Sequence, residues 1–369
     1  MKKLRLKKKN ALIALGIFIF IIIEIINPSK IIAVNRLTSY GYSKDASKRI
    51  IKLGLKSKVL ELPYSKFIDL NIASSNFDED NMDYYLKINY DEELDLNIVN
   101  DLIKKGYSSD EVNLIVNHGS VSDIKNLLTL EKVNNISDYL KYDYAKVSLL
   151  NRYEDYKNKN GTSMEDAVTY VNIGLDKEFY SDYNMVTDFS ITMLVNKYNK
   201  LDEKFVPSSL VAFPNEYCSS VCHQDNEEVV KAFVEMAKAL KEEKNLNIYV
   251  TSAYRTYGDQ EDIYNELTKL YGENYDVARA GFSEHQTGLS LDIGSGSSAS
   301  FKGSKEEAWL RENAYKYGFI FRYESEKSKI TGYNEPWHFR YVGKDIAEDL
   351  MNKKLTFDEY YVRFLERGK

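Results

Sequence analysis

The segment Ser283-Glu-His285-Gln-Thr-Gly288-Leu-Ser290-Leu-Asp292 decides the fold of the second half of this chain. Apolar and polar residues alternate at its end, which predicts a β-strand with three side chains in the core: Leu289, Leu291 and Ile293. Asp292 then lies on the opposite face of that strand. Because Gly288 permits a tight turn before the strand, His285 is expected to fold back beside Asp292.

A second stretch, Glu335-Pro-Trp337-His338, begins another predicted strand that runs to residue 341. Alternation places His338 and Arg340 on one face of this strand and Trp337 on the other, where it is expected to pack behind the site. Glu335 precedes a proline and is therefore expected in a bend before the strand rather than in a helix. The pattern differs from the helical His-Glu-x-x-His arrangement of many zinc peptidases.

The two stretches hold two of the four histidines of the chain, together with two suitable carboxylates. A catalytic zinc site needs three protein ligands, an open position for water and a base for the proton of that water. The residues therefore predict His285, Asp292 and His338 as ligands and Glu335 as the base, provided that the two strands are neighbours. The alternative is that these are ordinary hydrogen-bonding residues, and spacing alone leaves both interpretations open.

A third stretch, Ser252-Ala-Tyr254-Arg255 followed by Gln260, completes a resemblance to a known family. The three segments, in this order, resemble the signature of the VanY-type zinc D-alanyl-D-alanine carboxypeptidases over roughly residues 186–350. The resemblance implies one zinc ion bound by the three predicted ligands, with Glu335 as the catalytic base. It also implies that Arg255 contacts the substrate and stabilises developing negative charge. One departure is Ser290, where the family pattern usually has alanine.

The resemblance implies hydrolysis of the C-terminal D-alanine of peptidoglycan stem peptides. Binding of the terminal carboxylate is predicted for Arg255, Gln260 and Ser283. The same chemistry would also serve an L,D-carboxypeptidase or a peptidoglycan endopeptidase. A non-catalytic zinc-fold module that binds the cell wall is the remaining alternative, and Glu335 argues against it because a structural zinc site needs no base.

The second half of the chain is predicted to be an α+β zinc carboxypeptidase domain over residues 186–365, in which an antiparallel sheet has flanking helices. Apolar residues at helical spacing predict helices over 227–243, 260–270 and 304–317. Alternating residues predict strands over 246–251, 289–293, 319–323 and 337–341.

Residues 28–185 are predicted to form a small, extracellular, all-α repeat region. Three similar units begin at Gly41, Gly106 and Gly161, and in each a serine follows two residues later and a second glycine 13 residues later. This pattern indicates a turn, a serine N-cap, a short helix and a glycine stop. A spacer or wall-binding role and plain helical packing are both compatible with it.

The N-terminus is predicted to anchor the chain in a membrane. Residues 1–10 carry six basic residues and no acid, and residues 11–27 are almost wholly apolar. A basic flank is typical of the cytoplasmic side, so a single-pass helix over 11–27 predicts a cell-membrane protein with its catalytic domain outside. The alternative is a cleaved signal peptide, although no small-residue cleavage site follows the apolar run.

The remaining composition constrains partners and oxidation state. Without its first ten residues the chain has a net charge of −12, which excludes the basic footprint of a nucleic-acid-binding protein. The sequence predicts no oligomeric state. The two cysteines, Cys218 and Cys222, are compatible with a disulfide, with free thiols, or with a second metal site that includes His223.

Overall fold

The computed structural model of the chain describes residues 28–88, 94–219, 223–272 and 277–366. Within these residues the chain forms two compact units, one ending at Asn151 and one beginning at Arg152. The first unit is helical. The second combines helices with a β-sheet and contains every predicted site residue.

The prediction of a membrane anchor needs correction. Over the residues that the structure describes, no helix combines the length and the apolar composition needed to cross a bilayer. The longest of these helices, Glu227–Lys244, carries acids and lysines along its whole length. The predicted transmembrane helix and single-pass membrane location are therefore corrected to this finding: the described part of the chain supplies no membrane span. Residues 11–27, on which the prediction fell, lie outside the described part of the chain.

The first unit is built from short helices. In chain order these are α1 (Pro28–Ser39), α2 (Lys44–Lys52), α3 (Lys56–Leu60), α4 (Lys66–Asn71), α5 (Met82–Tyr85), α6 (Leu96–Lys104), α7 (Ser109–His118), α8 (Val121–Thr129) and α9 (Ile136–Leu140). Each helix is too short to be stable alone, so its apolar face must pack against neighbouring helices. Ile50, Val99 and Ile115 are among the fully buried side chains of this unit.

The helix starts agree with the serine pattern of the sequence. Ser43 caps α2 and Ser108 caps α7, each accepting a hydrogen bond from a backbone N–H in the first turn. At Ser108 the Glu111 side chain also accepts from the capping backbone N–H, which completes the predicted capping box. Such a cap stabilises a helix by about 1 kcal/mol.

The second unit contains α10 (Leu150–Asn160, which spans the division), α11 (Met164–Ile173), β1 (Asn184–Met185), β2 (Asn199–Lys200), β3 (Leu210–Ala212), β4 (Gln224–Asn226), α12 (Glu227–Lys244), β5 (Ile248–Ser252), α13 (Tyr257–Tyr271), β6 (Ser290–Ser295), α14 (Lys305–Asn313), β7 (Phe319–Tyr323), α15 (Ser328–Thr331), β8 (Glu335–Tyr341), α16 (Lys344–Lys353) and α17 (Phe357–Tyr360). Its helix α12 agrees closely with the predicted helix over 227–243. Glu335 is the first residue of β8 rather than part of a bend before it.

Four strands form the antiparallel sheet that carries the site, in the order β5–β6–β8–β7. The predicted strands over 289–293 and 337–341 are therefore neighbours. In their register Asp292 lies directly opposite His338, and Ser290 lies opposite Arg340. Residues paired in this way on one face have Cβ atoms about 5 Å apart, which places two predicted ligands side by side.

The sheet packs one face on a single apolar core. Leu291 and Ile293 of β6 and Phe339 of β8 are buried there beside Phe233 of α12. The alternation along β6 and β8 thus sends these apolar side chains inward and leaves Asp292 and His338 on the other face. Burying this core fixes the strands, and through them the two polar side chains.

The division between the units differs from the predicted domain boundary at 185/186. Residues 152–185 belong to the second unit, where Ile173 packs in a cluster with Tyr198 and Val362. Arg363 also donates hydrogen bonds to Thr169 and Glu165. The boundary at 185/186 remains a prediction.

Candidate metal centre

A cavity of about 520 Å³ opens over the polar face of the sheet. Its wall includes the predicted site residues Ser283, His285, Asp292, Glu335 and His338, with Arg255 and Gln260. Six elements of secondary structure contribute residues to this wall: β5, α13, the 3₁₀ turn Glu284–Thr287, β6, β7 and β8. The three stretches that carry the family resemblance therefore meet at one place.

The three predicted metal ligands converge. One ligand atom from each of His285, Asp292 and His338 lies within 4.8 Å of the others. The Oδ1 atom of Asp292 lies 3.5 Å from Nε2 of His285 and 3.1 Å from Nδ1 of His338. The two imidazole rings meet edge to face, with their centroids 4.8 Å apart.

The protein fixes which nitrogen of His285 faces this point. Its Nδ1 lies 2.7 Å from the backbone oxygen of Ala253, and because a carbonyl only accepts, Nδ1–H is the donor. Burial and the nearby Arg255 guanidinium lower the pKa of His285 to about 4, so the ring is neutral at pH 7. Its Nε2 lone pair is therefore directed at Asp292.

His338 presents the opposite nitrogen. Its Nε2 lies 3.3 Å from Oε2 of Glu284, while Nδ1 faces Asp292. Burial lowers the pKa of His338, but hydrogen bonds to Asp292 and Glu284 outweigh it and raise that pKa to about 9. A divalent cation at Nδ1 would take the place of the second proton of this ring.

The donor set fits a zinc ion. Burial alone would raise the pKa of Asp292. The effects of His285 and His338 are larger and hold this pKa well below its usual range, so Asp292 is ionised. One nitrogen of each imidazole and a carboxylate oxygen thus point at one place, where a proton on His338 or a bound metal cation offsets the negative charge of Asp292. Four ligands about 2.0–2.1 Å from a tetrahedral zinc are roughly 3.3 Å apart, close to the 3.1 and 3.5 Å found here.

Glu335 lies at the edge of this group. Its Oε2 is 3.8 Å from Nδ1 of His338, farther than the Asp292 carboxylate. A quarter of the Glu335 side chain is exposed, and it faces the cavity. This carboxylate therefore has access to a water or substrate in the cavity while the Asp292 carboxylate lies between the two rings.

Arg255 lies on the other side of Asp292. Its Nη2 is 3.8 Å from Asp292 Oδ2, its Nε donates to Ser252 at 3.2 Å, and its Nη1 donates to Gln260 at 2.6 Å. Burial lowers the pKa of Arg255, although a guanidinium stays charged at neutral pH. A fixed positive charge thus borders the cavity.

Gln260 and Ser283 each have a hydrogen-bond partner within the protein. The Gln260 amide accepts from Arg255 through Oε1 and donates to the Ala278 oxygen through Nε2. The Ser283 hydroxyl accepts from the backbone N–H of His285, which caps the 3₁₀ turn. Both residues line the cavity, and their predicted contact with substrate remains a prediction.

Other cavity residues did not emerge from the sequence. Tyr323 lies against the His338 ring with centroids 4.8 Å apart, and His223 forms part of the wall. Trp337, expected behind the site, also lines the cavity and is 42% exposed. Glu284, inside the decisive segment, contacts His338. Its position next to a predicted ligand was the only signal for it in the sequence.

Of the three alternatives for the cysteines, the structure favours the disulfide over free thiols and a second metal site. Cys218 is disulfide-bonded, and Cys222 lies in the stretch 220–222 outside the described residues. A disulfide-bonded sulfur is no zinc ligand, which argues against a second metal site at His223. Among the described residues, His285, Asp292 and His338 are the one group with metal-ligand geometry.

Comparisons with known proteins agree with this geometry. The family model described as VanY, D-alanyl-D-alanine carboxypeptidase, matches residues 223–344. The putative carboxypeptidase YodJ of Bacillus subtilis (strain 168) is 33% identical over 229 residues, which cover 56% of this chain and 82% of YodJ.

Two solved structures are also similar. One is of the LD-carboxypeptidase LdcB, with 36% identity, a TM-score of 0.46, and coverage of 49% of this chain and 90% of that one. The other, of the vancomycin resistance D,D-pentapeptidase VanY in complex with Zn(II), has 30% identity, a TM-score of 0.41, and coverage of 47% and 99%. Both TM-scores lie below 0.5, so family membership depends on the sequence matches. The chain belongs to the VanY family of zinc-dependent D-alanyl-D-alanine carboxypeptidases, which are hydrolases.

Proposed function

We propose that this chain removes the C-terminal D-alanine from peptidoglycan stem peptides, with one zinc ion held by His285, Asp292 and His338. The observation that carries the proposal is the convergence of their three ligand atoms beside Glu335 in one cavity. Nε2 of His285 and Nδ1 of His338 both face the Asp292 carboxylate, an arrangement that a bound cation stabilises.

Zinc, when bound, supplies a Lewis acid that polarises the scissile carbonyl and lowers the pKa of a water. Glu335 accepts the proton of the attacking water and passes it to the amine of the departing D-alanine as the C–N bond breaks. Arg255 donates hydrogen bonds to the oxygen on which negative charge develops. One such contact is worth about 3 kcal/mol in the transition state.

The terminal carboxylate of the substrate also needs a partner in the cavity. Arg255 is the nearest fixed cation, and the Ser283 hydroxyl is within the same wall. Because Arg255 already donates to Ser252 and Gln260, it divides its remaining donors between the developing oxyanion and the carboxylate. The same cavity residues would also accept a stem peptide whose last bond is L,D-linked.

Bond specificity is tested by product analysis. Purified protein is incubated with a stem pentapeptide that ends in D-Ala-D-Ala and, separately, with the tetrapeptide that lacks the last residue. Mass spectrometry then reports the products. Loss of one alanine from the pentapeptide supports the proposal, whereas cleavage of the tetrapeptide alone would make the chain an L,D-carboxypeptidase.

The role of Glu335 is tested by Glu335→Ala. We expect zinc content to stay at one ion per chain, because the three proposed ligands are untouched, while kcat falls by about 10²- to 10⁴-fold, as for loss of a general base. Metal analysis and steady-state kinetics measure the two quantities. Glu326→Ala, which removes an exposed glutamate outside the cavity, is the matched control. Full activity of Glu335→Ala would assign the base to another residue.

A further inference from the structure

Glu284 is a buried carboxylate that the mechanism above does not use. It directly precedes the proposed ligand His285, yet its side chain is fully buried and lies among charged groups at the base of the site. Two arginines, Arg322 and Arg340, lie against it, and the side chains of both are also fully buried.

The two carboxylate oxygens of Glu284 have different partners. Oε1 accepts from Arg322 Nε at 2.8 Å and from Arg340 Nη1 at 3.2 Å. Oε2 lies 3.3 Å from Nε2 of His338. The arginines therefore hold one oxygen of Glu284 and leave the other directed at the ring of a proposed zinc ligand.

The contacts continue away from the metal centre to the C-terminal segment. Arg322 donates to both oxygens of Asp358, at 2.6 and 3.2 Å, and Asp358 lies in α17. Asn196 donates to the same carboxylate at 2.8 Å. Asp358 lies outside the residues that the family model matches, 223–344.

Arg340 is fixed independently. Its Nη2 donates to the backbone oxygens of Ile191 and Met193, both at 2.9 Å, and its Nε donates to that of Tyr341. Because these acceptors belong to the backbone, Arg340 cannot move without breaking them. Glu284 is thus held by two arginines: Arg340, which is fixed by backbone oxygens, and Arg322, which is fixed by Asp358.

This arrangement selects one tautomer of His338. An ionised carboxylate only accepts hydrogen bonds, so the group facing Glu284 Oε2 must be Nε2–H. The lone pair of a neutral His338 ring is then on Nδ1, which faces Asp292 Oδ1. In many zinc sites the outer partner of a histidine ligand fixes its tautomer and ring orientation in this way.

We propose that Glu284 is a positioning residue for the zinc centre, and that Arg322 and Asp358 extend its hold on His338 into the C-terminal segment. The inference rests on the proposed function, because it takes His338 as a zinc ligand. A contribution to fold stability alone does not readily explain this buried network of charged side chains. Burying four charged side chains costs several kcal/mol for each ion, and well-packed apolar residues often stabilise a fold as much.

The first test is Glu284→Gln in the full chain. The amide can donate to Nε2 of His338 and so allows the other tautomer, in which a proton on Nδ1 competes with the metal. We expect zinc affinity, measured by competition with a chromophoric chelator, to fall by about 10- to 100-fold. The absorption spectrum of the cobalt(II)-substituted protein should also change, because the geometry at the metal changes.

The second test is Asp358→Asn, which leaves the residues touching His338 intact. We expect a smaller loss of zinc affinity in the same direction, because Arg322 is then held less firmly. Asp349→Asn is the matched control: Asp349 accepts a hydrogen bond from Tyr360 of α17 but lies outside the network. Its zinc affinity should equal that of the unaltered chain. If Glu284→Gln does not fold, Asp358→Asn decides.

His338→Ala separates this inference from the proposed function. If it leaves zinc affinity unchanged, the ligand assignment fails, and the proposed function fails with it. If it abolishes zinc binding while Glu284→Gln or, failing that, Asp358→Asn lowers only the unfolding temperature, the network is purely structural and this inference is overturned.

Discussion

Arg255 has two proposed roles, stabilising the developing oxyanion and binding the terminal carboxylate of the substrate. Ser252 and Gln260 each accept one hydrogen bond from Arg255, at 3.2 and 2.6 Å. The planar guanidinium is thereby oriented with Nη2 towards Asp292. A lysine at this position carries the same charge, but it lacks the planar guanidinium whose donors meet these partners and a substrate oxygen in fixed directions.

We therefore predict that Arg255→Lys lowers kcat by about 10²- to 10³-fold, the usual cost of removing one donor to a developing oxyanion. Zinc content should not change. Steady-state kinetics on a peptide ending in D-Ala-D-Ala give kcat and KM separately. An exposed arginine of the same unit, Arg279, supplies the control Arg279→Lys, for which we expect unaltered kcat.

The division between kcat and KM then distinguishes the two roles of Arg255. A loss confined to kcat indicates an interaction that forms only in the transition state. If instead KM rises and kcat is unchanged, Arg255 binds the terminal carboxylate of the substrate and some other group stabilises the oxyanion.

At the level of the element, the turn into β6 depends on Gly288. Its φ is +66°, a left-handed conformation that favours glycine. A Cβ added here would lie 2.9 Å from Pro207 Cγ and 3.3 Å from Asp225 Oδ1. The turn joins His285 to Asp292, so the packing at Gly288 sets the distance between two proposed ligands.

We predict that Gly288→Ala lowers the free energy of unfolding by about 2–4 kcal/mol, the sum of backbone strain and overpacking. Gly303→Ala is the control, since Gly303 has a φ of +81° but no atom within 4 Å of the added Cβ. It should cost only about 1 kcal/mol. Urea denaturation of both variants gives the difference, and equal losses would show that Pro207 moves aside without cost.

The sequence predicted on which face of a strand a side chain lies, but not which strands pair or in what register. Alternation alone placed Asp292 and His338 on polar faces, because the period of a strand is a local property. The register that sets them opposite each other depends on packing between distant segments, and it was only a condition of the prediction. The contact of Glu284 with Arg322, and that of Arg322 with Asp358, were missed for the same reason, because these residues lie far apart along the chain.

The sequence pattern and the observed contacts give different starting points for the catalytic part of the chain. The sequence predicts residue 186, where the texture of the repeat region ends. The contacts place residues 152–185 with the catalytic unit instead. Arg152 and Asp176 form a two-bond ion pair within this stretch, with both distances 2.6 Å.

Two fragments decide between these boundaries, residues 152–369 and residues 186–369. The shorter fragment loses Ile173 and thereby exposes Tyr198 and Val362, which are 5% and 3% exposed in the intact unit. Uncovering two such side chains costs about 3–5 kcal/mol. For a unit of this size we therefore predict an unfolding temperature roughly 10 °C lower than that of the longer fragment.

Differential scanning calorimetry of both zinc-loaded fragments measures this difference, and peptide hydrolysis reports whether the site is intact. Because α11 contacts Arg363, three residues beyond the end of α17, we also expect the shorter fragment to lose zinc more readily if Asp358 supports the metal centre. Equal unfolding temperatures and equal zinc affinities would instead place the boundary at 185/186. In that case residues 152–185 would be a connection that adds nothing to the stability of the catalytic unit.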